Sequence, residues 1–447
     1  MTAGRGLIIA APGSGSGKTT VTLGLLRALR DAGVKVAAAK AGPDYIDSGL
    51  HEAASGGPCL NLDPWAMRPA TLAAFVRHLG AHADIVVCEG VMGLYDGIDA
   101  SGTASTAALA AATGWPVVMV VDAEGVAASV AALLHGFAHP PSSLARTGLT
   151  IAGVIFNRLG GARHRELLHE AVRTALPDIA VFGGLPRATQ VTLPERHLGL
   201  VPAGEQSQLE STLSHAARLI ESTLDLSALQ ASARAATLAH DGTPPIPIAP
   251  LGQRIAVARD AAFAFAYPWL LDGWRRAGAT VTPFSPLADE APATDADAVF
   301  LPGGYPELHA GRLAASHRFL GGLRSAAARG TSLYGECGGY MTLGRGLVDA
   351  DGQRHALAGL LPLETSFAER RLHLGYREVT LLDDGPLGRG GARYRGHEFH
   401  YATVRAEGVG ARLFAAADSR GHQLATAGLR SGTVCGSFIH LIDHANV

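Results

Sequence analysis

Apolar residues fall along this chain in short packets. In the first half they are "GLIIAA" (6–11), "VKVAAAK" (34–40), "DIVVCEG" (84–90), "PVVMVVD" (116–122), "IAGVIFN" (151–157) and "IAVFGGL" (179–185). None alternates strictly with polar residues, so each predicts a strand buried on both faces. Between them, residues 18–31, 104–113 and 162–175 carry the longer period of helices, and 207–225 adds one more amphipathic helix. Strand and helix in alternation predict right-handed crossovers and an α/β fold with a doubly wound, mainly parallel sheet.

The pattern breaks at "DGTPPIPIAPLG" (241–252), where the prolines can neither continue a helix nor sit inside a central strand. A second sheet starts at "RIAVARD" (254–260) and continues through "DAVFLPGG" (297–304) and "TSLYGE" (331–336). Residues 374–382, 393–406 and 422–429 alternate more and carry more charge, as antiparallel or edge strands do. "TVCGSFIH" (433–440) reads as the closing strand. The expected organisation is one α/β domain over 1–240, a Pro-rich linker over 241–253 and a second α/β domain over 254–447.

Composition narrows the class. Of 447 residues, 47% are apolar and 17% charged, enough for two large cores. Net charge is -2 with no basic block, so neither nucleic acid nor an anionic membrane surface is expected as a partner. No apolar run reaches the roughly 18 residues of a membrane span, and residues 1–11 lead into a glycine-rich turn rather than a leader's cleavage site. The cysteines, at 59, 88, 337 and 435, have neither zinc-ligand spacing nor disulfide-scaffold density, which points to a reducing cytoplasm.

Candidate chemistry begins at "APGSGSGKTT" (11–20), after the first strand and at the start of a helix. Backbone N–H groups from Gly13, Ser14, Gly15, Ser16 and Gly17 can turn towards phosphate oxygens. Lys18 reaches the outer phosphates, Thr19 offers a hydroxyl to Mg²⁺, and Thr20 follows. The usual pattern has glycine six places before the lysine; here that place is Pro12. "KAGPDYIDSGLH" (40–51) sets Asp44 and Asp47 beside Lys40 at the carboxyl end of the second strand. They either hold Mg²⁺ or orient a substrate, or else act as a helix cap and turn pair. "CEGVMGLYDG" (88–97) ends a buried strand with Glu89, where a P-loop enzyme places its second acidic partner for Mg²⁺, and Asp96 follows.

In the second half, "LYGECGGYM" (333–341) places Cys337 in a sharp turn between a strand and a helix. This is a nucleophile elbow. Glycines on both sides let the chain fold tightly, and a helix N-terminus is expected to favour the thiolate. The nucleophile needs a base. His440, at the end of "VCGSFIH", is the candidate.

"GECGG" with a terminal "GSFIH" resembles the class I glutamine amidotransferase domain of cobalamin-pathway amidases. The first half resembles the dethiobiotin-synthetase-like P-loop family. With "GPDYID", "EGVMGLYDG" and "LPGGYPE" (301–307), nearly the whole chain resembles the cobyrinic acid and hydrogenobyrinic acid a,c-diamide synthase family. That resemblance implies ATP and L-glutamine as substrates, with Mg²⁺. It further implies a corrinoid whose a and c acetates become amides, a homodimer, and Asp44, Tyr45, Asp47 and Asp96 near the reacting carboxylate. Nickel-sirohydrochlorin is the alternative tetrapyrrole. A nucleotide-switched binding protein is the alternative from another class. Most class I domains carry a carboxylate two residues after the histidine. Here that residue is Ile442, and Asp443 is one further on, so a Cys337–His440 dyad is expected, aided at most by a group the sequence does not reveal.

Overall fold

In the computed structural model the described residues are 4–187, 191, 193–196, 199–238 and 245–445. They form two compact units, Met1–Trp65 with Pro69–Pro244, and Ala66–Arg68 with Pro245–Val447. Of the expected linker, 241–244 lie outside the described residues. The remainder packs into the second unit, where Ile248 and Leu251 are buried and the Trp274 indole N–H donates to Ile248 O at 3.1 Å.

The first unit runs β1 (Arg5–Ala10), α1 (Lys18–Asp31), β2 (Val36–Ala41), α2 (Tyr45–Ser55), β3 (Cys59–Leu62), α3 (Pro69–Ala81), β4 (Ile85–Glu89), α4 (Thr106–Thr113), β5 (Val117–Asp122), α5 (Val130–Ala138), β6 (Ile151–Leu159), α6 (Ala162–Ala175) and β7 (Ala180–Pro186). A short ladder, β8 (Glu195–Arg196) with β9 (Gly199–Leu200), precedes α7 (Leu209–Thr223), α8 (Leu226–Ser232) and β10 (Arg234–Ala235). The main sheet has the order β3-β2-β4-β1-β5-β6-β7, parallel throughout, with β10 antiparallel beside the start of β1. Leu7, Val87, Val118 and Ile155 from its strands pack with Leu25 of α1 and Ile220 of α7 in one buried core. Each such side chain contributes about 1.5–3 kcal/mol. Strand β3, which the apolar pattern did not predict, extends the sheet at one edge. Because every main strand points the same way, the turns after β1, β2 and β4 and the end of β6 share one carboxyl edge, where ligands bind in such sheets.

The second unit contains β11 (Arg254–Ala258), α9 (Pro268–Arg276), β12 (Thr280–Phe284), β13 (Ala298–Leu301), α10 (Ala310–Ala315), α11 (His317–Ala328), β14 (Ser332–Glu336) and α12 (Gly338–Leu343). There follow β15 (Gly346–Val348), β16 (Arg354–Ala356), β17 (Leu363–Ser366), β18 (His373–Leu381), β19 (Arg393–His400), β20 (Thr403–Glu407), β21 (Ala411–Asp418), β22 (Ala427–Ser431), β23 (Val434–Ser437) and β24 (Ile439–His444). The long sheet has the order β12-β11-β13-β14-β23-β22-β21-β18-β19-β24, and β16-β15-β17-β20 make a smaller one. The predicted closing strand 433–440 is two strands. The Ser437 hydroxyl accepts from Ile439 N–H at 3.1 Å, a local turn that breaks the ladder at Phe438. β23 and β24 are thus neighbours in the chain but lie mid-sheet and at an edge, so the sheet curls back on itself. Among the described residues no helix is long and apolar enough to cross a membrane.

Candidate active sites

Between β1 and α1 the chain forms a tight loop whose last residue, Gly17, caps α1 in the left-handed region (φ 86°). A side chain there would begin 2.1 Å from Asn157 Nδ2, so glycine is obligatory on both counts. Asn157, at the end of β6, donates to Ser16 O at 3.0 Å, and Ser16 Oγ donates to Gly13 O at 2.9 Å. The loop is therefore held from within and from the neighbouring strand. Asn157 and Arg158 both line the cavity over this loop; Asn157 anchors the loop and Arg158 pairs with Asp122. Lys18 Nζ donates to Met92 O at 2.7 Å. Burial lowers the pKa of Lys18, against the pull of Glu89.

Glu89 is the hub of this site. It ends β4, is 1% exposed, and its carboxylate receives the Thr19 hydroxyl (2.7 Å), Lys40 Nζ (3.2 Å) and His51 Nε2 (2.6 Å). Burial works to raise its pKa, but Lys40, His51 and Thr19 hold it well below the carboxylate range. Lys40 also pairs with Asp47 at 2.7 Å. Although burial opposes it, Asp47 and Glu89 keep Lys40 charged, above the usual lysine range. Asp44 does what a helix cap does: its side chain accepts from Ile46 and Asp47 N–H at 2.8 and 3.0 Å. Burial, then Asp47, pushes its carboxyl up to about 6. Asp96 is exposed and accepts from Gly93 N–H at 2.9 Å, which steadies the loop whose Met92 carbonyl receives Lys18.

A cavity of about 780 Å³ opens over these groups. Ser14, Gly15, Gly17, Lys18, Thr19 and Thr20 line it; Asp44, Asp47 and Glu89 do so too, whereas Gly13 and Ser16 do not. Thr19 and Glu89 present two hard oxygen atoms 2.7 Å apart, a hydroxyl and a carboxylate, the donor types that suit a small divalent cation. Sequence reasoning gave no role to His51, although it lies one helical turn after Asp47, or to Lys40 as the bridge between two carboxylates.

In the second unit the elbow is real, and its strain lies on the cysteine. Cys337 adopts φ 47°, ψ −104°, which a β-carbon tolerates poorly. The adjoining glycines are there for space: a side chain at Gly339 would begin 1.9 Å from Leu301 O, and one at Gly338 2.9 Å from Pro306. His440 on β24 comes to the same place. A β-carbon at Gly303 would stand 2.5 Å from His440 Cε1, 3.1 Å from its Nε2 and 3.3 Å from Cys337 Cβ. The expectation of a thiolate held by a helix N-terminus is not met. α12 is only 6 residues long, and burial, followed by Glu307, pushes the Cys337 thiol above the ordinary cysteine range, with Gly338 N–H acting weakly the other way.

Around the pair stand carboxylates and histidines whose roles the sequence did not reveal. Glu336 Oε2 lies 3.5 Å from His440 Nδ1. His397 is paired in register with His440, and burial, then His440, lowers it to about 3, so it is neutral. Burial works to raise Glu398, but His400 and Arg377 hold it down, to about 2. Asp443 turns to Arg68, whose backbone N–H donates at 2.8 Å and whose guanidinium donates at 2.9 Å.

A phosphate-type loop with an acidic partner in one unit and a cysteine elbow with histidine in the other define the class. Residues 7–201 match the CobQ/CobB/MinD/ParA nucleotide binding domain, and residues 254–446 match the CobB/CobQ-like glutamine amidotransferase domain. The protein is a glutamine-hydrolysing, amide-forming ligase. Hydrogenobyrinate a,c-diamide synthases from Sinorhizobium sp and Brucella anthropi are each 53% identical to it, the former over 98% of this chain and 99% of its own length, the latter over 98% of each; that from Rhodobacter capsulatus is 51% identical over 98% of each chain. The chain belongs to the hydrogenobyrinate a,c-diamide synthase family.

Proposed function

We propose that this enzyme converts the a and c acetate carboxylates of hydrogenobyrinic acid, or of its cobalt-bearing counterpart cobyrinic acid, into amides, using ATP and glutamine. The observation that supports the substrate is the near full-length similarity to enzymes of that name. A carboxylate is a poor electrophile because oxide must leave. Phosphorylation by the γ-phosphate of ATP makes an acyl phosphate with a good leaving group. The loop from Gly13 to Gly17 cradles the phosphates and Lys18 neutralises the charge that develops on the transferring group. Thr19 and Glu89 would hold Mg²⁺, which when bound spreads the charge of the phosphate oxygens. Lys40 keeps Glu89 ionised for that task and pairs with Asp47, and Asp44 and Asp47 face the incoming acid from the start of α2.

Ammonia comes from the second unit. The Cys337 thiol passes its proton to His440 as sulfur attacks the glutamine carboxamide; the C–N bond breaks, the proton leaves with ammonia, and water then releases glutamate from the thioester. A β-carbon at Gly303 would stand 3.3 Å from Cys337 Cβ, and the N–H groups of Gly303 and Gly304 would receive the oxyanion. Four buried free thiols suit a reducing cytoplasm.

The test is product mass. Purified enzyme with Mg-ATP and glutamine is offered hydrogenobyrinic acid, cobyrinic acid and nickel-sirohydrochlorin in parallel. Two acid-to-amide changes on hydrogenobyrinic or cobyrinic acid are expected, and Cys337→Ala makes the same product only from added ammonia. ATP consumption with no amide on any of the three acids would sink the tetrapyrrole assignment.

A further inference from the structure

We propose that Glu336, the residue immediately before the nucleophile, is the positioning carboxylate of the glutaminase base, in the role that other class I domains give to a residue beyond the histidine. The inference rests on the reading of Cys337 and His440 as nucleophile and base. Three observations carry it.

The place two residues past His440 holds Ile442, which has no acceptor to offer. Asp443 is committed elsewhere, to the Arg68 backbone N–H and guanidinium and to His444 N–H. Glu336, by contrast, is 3% exposed and has its two oxygens sorted. Oε1 accepts from the Tyr334 hydroxyl at 2.9 Å and from Leu441 N–H at 3.2 Å. Oε2 faces His440 Nδ1 at 3.5 Å. One oxygen is pinned by β14 and β24, and the other is thereby aimed at the imidazole. The carboxylate sits at the last residue of β14, so the same strand end that exposes the thiol also carries the group that orients its base.

The chemistry follows from the two nitrogens of His440. With Nδ1–H turned to Glu336, Nε2 is the bare nitrogen, and the Nε2–Cε1 edge is the one facing Gly303 and Cys337. When sulfur attacks, the S–H bond breaks, an Nε2–H bond forms and a carbon–sulfur bond forms. The imidazolium that results is stabilised by the anion on Nδ1. On collapse the proton returns to the departing nitrogen and the carboxylate is unchanged. The separation of 3.5 Å is long for a hydrogen bond in the resting enzyme and shortens as His440 takes its charge.

This assignment makes an ordering of variants that a structural role does not. In Glu336→Gln the amide oxygen can still accept from Tyr334 and Leu441, which leaves the NH₂ group facing Nδ1. That donor forces the proton onto Nε2, the wrong tautomer for a base. Glu336→Ala imposes no tautomer. Glutamate release is therefore expected to fall by roughly 10²- to 10⁴-fold in kcat for Glu336→Gln and by about tenfold less for Glu336→Ala, with KM for glutamine within a few-fold of the native value in both. ¹⁵N spectra of histidine-labelled enzyme, with His440 assigned by its loss in His440→Ala, should show the Nδ1-protonated form replaced by the Nε2-protonated form in Glu336→Gln. Asp443→Asn should leave that signal in place. If Glu336→Ala is the worse variant, or if the His440 signal is the same in all of them, Glu336 is structural and the proposal falls. A Cys337→Ala enzyme that still released glutamate would instead overturn the underlying reading of the nucleophile.

Discussion

At the scale of single residues, the site is crowded to the point where one methyl group decides activity. Gly303 has an ordinary backbone conformation, but a β-carbon there would meet His440 Cε1 at 2.5 Å, a contact real structures do not keep. The imidazole must move or turn, and a base displaced by about 1 Å costs on the order of 10²-fold. Gly303→Ala is expected to reduce glutamine-dependent glutamate release by that factor while the ammonia-dependent amide formation of the first unit persists. Equal loss of both activities would mean that the substitution unfolds the protein rather than moves the base. Cys337 and Lys18 were legible in the sequence because each sits in a contiguous motif whose neighbours are dictated by geometry. His440 stood out at the end of the "VCGSFIH" run, although the structure places it inside β24 rather than at the end of one closing strand. His51 and Lys40 were not, because their partner is Glu89, 38 residues from the former, and only folding brings them together. Glu336 stood in plain view with its role hidden: its neighbour in sequence advertised the thiol, whereas its partner in space lies on another strand.

At the scale of elements, α2 shows how one carboxylate can serve structure and site together. The sequence left Asp44 open between cap and ligand. The structure makes it the cap of Tyr45–Ser55 and also turns it into the cavity. Replacing a capping aspartate by alanine costs about 1 kcal/mol, and asparagine caps equally well. The pKa of Asp44 adds a sign. Its folded value, about 6, lies above the ordinary 3.8, so the folded protein holds this proton longer than the unfolded chain. Between about pH 4 and 6 the native state binds more protons, and stability falls as pH rises through that window. Asp44→Asn, which has no proton to lose, should therefore gain in thermal midpoint relative to the native chain from pH 4 to 7, and Asp44→Ala should lie below Asp44→Asn at both. A relative loss for Asp44→Asn over that range would reject the assignment. Amide formation lost in Asp44→Asn with stability kept would place the carboxylate on the substrate as well. Apolar runs gave most strands of the parallel sheet to within a few residues, since burial on both faces leaves a continuous signal. They missed β3, which is only 4 residues long, and ran β23 into β24, because the break at Phe438 is made by one serine hydroxyl rather than by a glycine or proline.

At the scale of the whole chain, each unit has its own buried core: strands β1, β4, β5 and β6 with α1 and α7 in the first, and residues from Ala256 to Val434 in the second. Two chemistries that must not interfere, phosphate activation and amide cleavage, are thus built on separate frameworks. The alternation of strands and helices and the proline-rich break point to two units in the sequence alone, but not to the inclusion of Ala66–Arg68 and of residues 245–253 in the second. The curl of the second sheet is not readable there, since it depends on β24 pairing with β19, far from its neighbour in sequence. Separate cores with separate ligands predict separate responses to heat. Mg-ATP at 100 times its dissociation constant stabilises whatever binds it by about 2.7 kcal/mol, and that gain should appear in a calorimetric transition of the first unit and vanish in Lys18→Met. An electrophilic glutamine analogue bonded to Cys337 should raise the other transition and have no effect in Cys337→Ala. If instead both ligands moved a single transition together, the two units would be one cooperative body, and a variant in either could be read only through the stability of both.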